Sequence, residues 1–73
     1  MQTIEFALDA RHAHVELNQL LKLAGLCDSG GAGKSIVASG QVFVDGRQEL
    51  RKTCKIFPGQ RVVLGEFEIV VAK

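Results

Sequence analysis

LLKLAGLCDSGGAGKSIVASGQVFVDG, Leu20 to Gly46, contains the transitions on which the fold turns. A leucine-spaced segment stops at Gly25, Ser29 opens a new stretch, and valine alternation starts at Val42 before an Asp45-Gly46 turn. Toward the N-terminus, "HVELNQLLKLAGL" sets Leu17, Leu20, Leu21 and Ala24 at helical spacing, with Glu16, Asn18, Gln19 and Lys22 mostly off that face. Gly25 is a natural stop, because it enters the left-handed region without steric cost. Ser29 is the expected N-cap of a second helix, in which Ala32, Gly33, Ile36 and Val37 share a face and which Gly40 closes. Gly30, Gly31 and Gly33 make that helix poor by propensity, so packing must hold it.

Strand signals flank the two helices. "TIEFAL" alternates Ile4, Phe6 and Leu8 inward with Glu5 outward, the period of a half-buried strand. "QVFVDGRQEL" alternates Val42 and Val44 before the Asp45-Gly46 hairpin signal, leaving Phe43 on the other side. Beyond it come a turn at Phe57-Pro58-Gly59, a strand in "RVVL", a turn at Gly65-Glu66 and a closing strand "FEIVV". The intervening "RQELRKTCK" reads as polar, extended and exposed, and Glu66 and Glu68 as solvent-facing. Phe6 and Phe67 are expected in the core. The order is strand, helix, helix, then three or four short strands: an α+β domain of two short packed helices on a small, mostly antiparallel sheet. No repeat or linker divides it, so residues 1–73 are expected to form one domain.

The run "SGGAGKS", Ser29 to Ser35, invites comparison with a nucleotide-binding phosphate loop. Such a loop needs Gly, four residues, Gly, Lys, then Ser or Thr, and Gly33, Lys34 and Ser35 supply its end. Its first glycine would fall on Asp28, whose carboxylate repels phosphate, and a helix rather than a buried strand precedes it. No serine, histidine and carboxylate are spaced as a catalytic set either. No enzyme and no cofactor are expected. Gly33 instead suits close helix approach, while Gly30 and Gly31 open a helix whose first amides can receive an anion.

At 73 residues there is room for one thin core, and 47% hydrophobic content makes the chain globular. No window approaches the roughly 18 apolar residues of a membrane span. "MQTIEFALDA" lacks the basic start and apolar block of a signal peptide, so a cytoplasmic protein is expected. Cys27 and Cys54 then read as free thiols, Cys27 as a small core residue. His12 and His14 form the only close pair of metal-ligand type, and no metal site is expected.

Formal net charge is only +1, but it is unevenly spread. Residues 47–61 carry Arg47, Arg51, Lys52, Lys55 and Arg61 against Glu49 alone, a local +4. On charge alone such a block is either the mark of an anionic partner or a solvated loop. Few aromatic side chains are present, so recognition of a nucleic acid should rest on phosphates and shape more than on stacking.

The ordered elements resemble the S-four RNA-binding domain, also called the alpha-L motif. They are a leucine-rich helix closing on Gly-Leu (Leu20 to Leu26), a Ser-led second helix (Ser29 to Ser39), the Gly-x-Val-x-Val-Asp-Gly run (Gly40 to Gly46) and a late Pro58-Gly59 turn. The likeness spans about residues 14–64. It implies binding of structured RNA, ribosomal RNA foremost; a monomer is expected. The implied contacts are Ser29, Gly30, Gly31 and Lys34 at the second helix start, and Lys22 on the first helix. Gln41, Asp45, Gly46 and Arg47 on the hairpin edge join them, with Arg51, Lys52 and Lys55 in the basic stretch. Gly30 stands where the family commonly has arginine, Glu16 where an arginine often opens the first helix, and Gln60 where an acid is usual. These departures imply that phosphate contact shifts toward Lys34 and the 47–61 block. The competing reading is a protein-interaction module docking an acidic partner.

Overall fold

The computed structural model describes residues 1–73. Its elements run β1 (Gln2–Ala7), β2 (Val15–Glu16), α1 (Leu17–Leu23), α2 (Gly30–Ala38), β3 (Val42–Val44), β4 (Arg47–Gln48), β5 (Lys55–Ile56), β6 (Arg61–Leu64) and β7 (Phe67–Ala72). Five strands form one sheet in the order β1-β7-β6-β3-β4, and β2 pairs with β5 as a separate ribbon. Every ladder is antiparallel except β1 with β7, which run parallel with Ile4 against Ile69 and Phe6 against Val71.

The alternation in the sequence becomes the two sides of this sheet. Val42, Val44, Val62, Ile69 and Val71 point into the core, where they meet Leu17, Leu20 and Leu21 of α1, Val37 of α2 and Ile56 of β5. Each fully buried side chain of this kind contributes about 1.5–3 kcal/mol. That packing is what holds α1, since a helix of seven residues is not stable alone. Phe6 packs at the margin of the core, and Phe67 is half-buried rather than central. Cys27 and Cys54 are free and half-buried, both packed against the core edge.

The β3–β4 hairpin closes as its sequence requires. Asp45 (φ 50°) and Gly46 (φ 83°) both take positive φ, the two-residue turn that matches strand twist. The helices meet at Gly33, which is buried. A Cβ there would collide with the Asn18 carbonyl oxygen and lie 3.1 Å from its carbon, so α2 could not approach α1 with any side chain at this position.

Four expectations need correction. His14 to Glu16 are not helical: Val15 and Glu16 pair with Ile56 and Lys55, and α1 starts only at Leu17. Asn18 does not lie off the apolar face but is 2% exposed. The segment 47–55 is not simply extended, because Arg47–Gln48 folds back on β3 and Lys55–Ile56 joins β2, with a turn between them. Glu68 is half-buried, and its carboxylate meets Arg61 Nη1 at 3.5 Å.

Candidate nucleic-acid interface

"SGGAGKS" forms the cap and first turns of α2. Ser29 is extended (φ −152°, ψ 162°), and its hydroxyl oxygen accepts from the Ala32 N–H at 3.0 Å. Gly33 N–H donates to the Ser29 carbonyl at 3.0 Å, so the helix register starts here. The N–H groups of Gly30 and Gly31 precede any intrahelical acceptor and have no protein partner. Gly31 and Lys34 are exposed, the lysine one turn further along the helix.

α1 begins differently. Its N-cap, Glu16, makes no side-chain cap. Its first amides are satisfied instead by the basic loop: Leu17 N–H donates to the Cys54 carbonyl at 2.8 Å and Asn18 N–H to the Lys52 carbonyl at 3.1 Å. Asn18 Nδ2 donates in turn to the Gly30 carbonyl at 3.3 Å. One buried asparagine therefore joins the start of α1, the start of α2 and the 51–55 loop. Its Oδ1 is buried without a partner. Sequence spacing gave no sign of this joint beyond a polar residue next to a leucine stripe.

Gly30 is enclosed by the same neighbours. A Cβ at this position would lie 2.6 Å from Gln19 Nε2 and 3.3 Å from Asn18 Nδ2. Gln19 thus occupies the space into which a side chain at position 30 would project.

The basic loop is held by Glu49, whose side chain is only 15% exposed. Its Oε2 accepts from the Arg51 N–H at 3.0 Å and from Arg51 Nε at 2.9 Å, while Oε1 accepts from Arg51 Nη2 at 3.1 Å. This fork holds the Glu49 carboxyl down at about 2 and pushes the guanidinium further up. Burial, with the Glu49 charge nearby, pushes the Cys54 thiol up, so it stays protonated. Arg51 is therefore exposed but already paired, and Arg61 is paired with Glu68. Lys22, Lys34, Arg47, Lys52 and Lys55 make no ion pair.

The expected site residues divide accordingly. Ser29, Gly30, Gly31 and Lys34 are linked through Asn18 to the loop that carries Arg51, Lys52 and Lys55. Lys22 is exposed one turn beyond Asn18 on α1. Gln41 lies past the opposite end of α2, where its Nε2 donates to Ser39 Oγ at 2.9 Å. Arg47 follows the hairpin turn, opposite Val44, and makes no ion pair. Asp45 and Gln60 are engaged in structure: Asp45 Oδ1 accepts from the Arg61 N–H at 3.0 Å, and its Oδ2 from Gln60 Nε2 at 3.1 Å.

Two short helices packed at a glycine thus set a Ser-capped amide terminus next to a cationic loop. The S4 domain family model matches residues 8–72, and the chain belongs to that family. It is 56% identical over 52 residues to YbcJ of Escherichia coli (strain K12), covering 71% of this chain and 74% of that protein. The same identity and coverage hold for an uncharacterized YbcJ of Shigella flexneri. The solution structure of YbcJ from E. coli is described as an alpha-L motif involved in RNA-binding. It superposes with a TM-score of 0.75 at 44% identity, covering 100% of this chain and 91% of that one.

Proposed function

We propose that this chain binds structured RNA, ribosomal RNA being the first class to test, and catalyses no reaction on it. In this reading residues 1–73 act as one monomeric, cytoplasmic binding unit. Lys34, Lys52 and Lys55 neutralise phosphates, the Gly30 and Gly31 amides receive another, and release of counterions drives association. The observation that carries the reading is the Asn18 joint, which sets a free helix N-terminus and a lysine-bearing loop side by side. Family membership and the RNA-binding description of the E. coli structure support it. Gln41 and Arg47 are peripheral contacts at most in this arrangement, and Lys22 extends the face along α1.

The test is an NMR titration of labelled protein with a structured ribosomal RNA fragment at low and moderate salt. Shifts should cluster at Ser29–Lys34 and Arg51–Lys55 and fade as salt rises. Lys34→Ala and Lys55→Ala should weaken binding while leaving the spectrum folded. Absence of shifts at low salt would transfer the same face to an acidic protein partner.

A further inference from the structure

We propose that the Phe57 ring, backed by His14, is a stacking platform for an unpaired base, so that the preferred RNA carries a loop or bulge beside its stem. This rests on the RNA-binding reading above and adds a substrate class to it. Strand pairing creates the platform. Val15 lies opposite Ile56 and Glu16 opposite Lys55, so continuing the register sets His14 against Phe57. Their ring centroids are 5.5 Å apart at an interplanar angle of 49°. Ile56 is fully buried, and alternation therefore turns Lys55 and Phe57 to the same outer side.

Phe57 is 44% exposed, yet its backbone is fastened. Its N–H donates to Gln60 Oε1 at 2.7 Å, and its carbonyl accepts from the Gln60 N–H at 3.1 Å. A ring on a fixed base loses little freedom when another ring stacks on it. Beside it lies an open cleft of about 560 Å³, lined by Arg51, Thr53, Cys54, Lys55 and Phe57. An apolar ring face, a hydroxyl and two cations are the complement of a nucleotide: base, sugar edge and phosphate. Lys55 makes no ion pair although Glu16 lies opposite it across the ribbon. Arg51 gives Nε and Nη2 to Glu49, with Nη2 also donating to Cys54 Sγ at 3.5 Å, which leaves the lysine ammonium and Arg51 Nη1 for a phosphate. Phe43, 40% exposed, is flanked in register by Gln48 and Val63, which offer no charge. A continuous A-form duplex keeps its bases inside, so only an unpaired base reaches such a ring.

The chain has no tryptophan or tyrosine, so Phe57→Trp introduces a lone indole reporter. The experiment compares a hairpin RNA carrying an unpaired loop with a fully paired duplex of the same stem. The hairpin should bind Phe57→Leu roughly tenfold more weakly than wild type. The duplex should bind both equally, and the indole of Phe57→Trp should be quenched by the hairpin alone. Unchanged hairpin affinity in Phe57→Leu, equal loss toward both RNAs, or an unquenched indole at saturation overturns the platform while RNA binding stands. Failure of the wild-type protein to bind either RNA overturns the underlying reading, and the platform with it.

Discussion

Gln60 fastens two turns with one amide. Its Oε1 accepts from the Phe57 N–H, and its Nε2 donates to Asp45 Oδ2. Asp45 also accepts from the Arg61 N–H, and these donors hold its carboxyl below the usual range. Because the folded value is depressed, the stabilisation is present above the ordinary value of 3.8 and is lost as pH falls through the folded one. An acid at position 60 offers no N–H and sets a second negative charge beside Asp45. Gln60→Glu should therefore destabilise the fold by about 1 kcal/mol at neutral pH, a modest figure because the site is solvated. Mutual repulsion should also raise the Asp45 carboxyl. The deficit should shrink toward pH 4, where one of the pair takes a proton and can donate again. Thermal unfolding of both proteins at pH 7 and pH 4 measures this; a deficit independent of pH would locate the effect elsewhere than the carboxylate pair.

At the scale of elements, the sequence was legible wherever a segment had a period and a punctuating residue. β1, α2, the Asp45-Gly46 hairpin, β6 and β7 all have both, and lie close to where alternation, the Ser29 cap and the turns set them. β2 and β5 have two residues each, too few for any period, and they exist only because each meets the other. For the same reason the start of α1 was misread. Helical spacing runs back through Val15 and Glu16, but the carbonyls that satisfy the first amides of α1 come from Lys52 and Cys54, more than thirty residues on. Half of the candidate site was legible too: the Ser29 cap and its glycines show locally, whereas Asn18 and Glu49 act across chain distance and leave no local pattern. The helix pair itself gives a sharp prediction from two neighbouring glycines. Gly33→Ala must push α2 off the Asn18 backbone, which cannot yield as a side-chain end would, and should cost about 1–3 kcal/mol. At Gly31 a Cβ would meet only Ser29 Oγ, at 3.9 Å. Gly31→Ala should accordingly be stabilising by up to about 0.5 kcal/mol, since alanine favours a helix and nothing obstructs it. Urea unfolding of the two variants checks both signs, and equal effects would mean that the helices are not locked at Gly33.

Across the whole molecule, charge counted along the chain and charge available on the surface are different quantities. The 47–61 block is +4 in sequence, yet Glu49 forks Arg51 and Glu68 reaches across from β7 to Arg61. No reading of the block alone exposes the second pair, because its acid belongs to another strand. Arg47, Lys52 and Lys55 remain uncommitted there, and only the two lysines adjoin the α2 start through the loop that Asn18 holds. Binding of structured RNA through about four phosphates should give a log–log salt slope of roughly −3. Replacing Lys52 and Lys55 together by alanine should bring the slope to about half that value, because each lysine accounts for one displaced counterion. Arg61→Gln removes as much formal charge as one of these lysines, but from a pair whose carboxylate already neutralises it, and its slope should stay near that of wild type. Anisotropy of a labelled RNA between low and moderate salt separates these cases. If Arg61→Gln flattened the slope as much as either lysine, association would follow net charge alone, and the α2 start and its loop would have no special part in it.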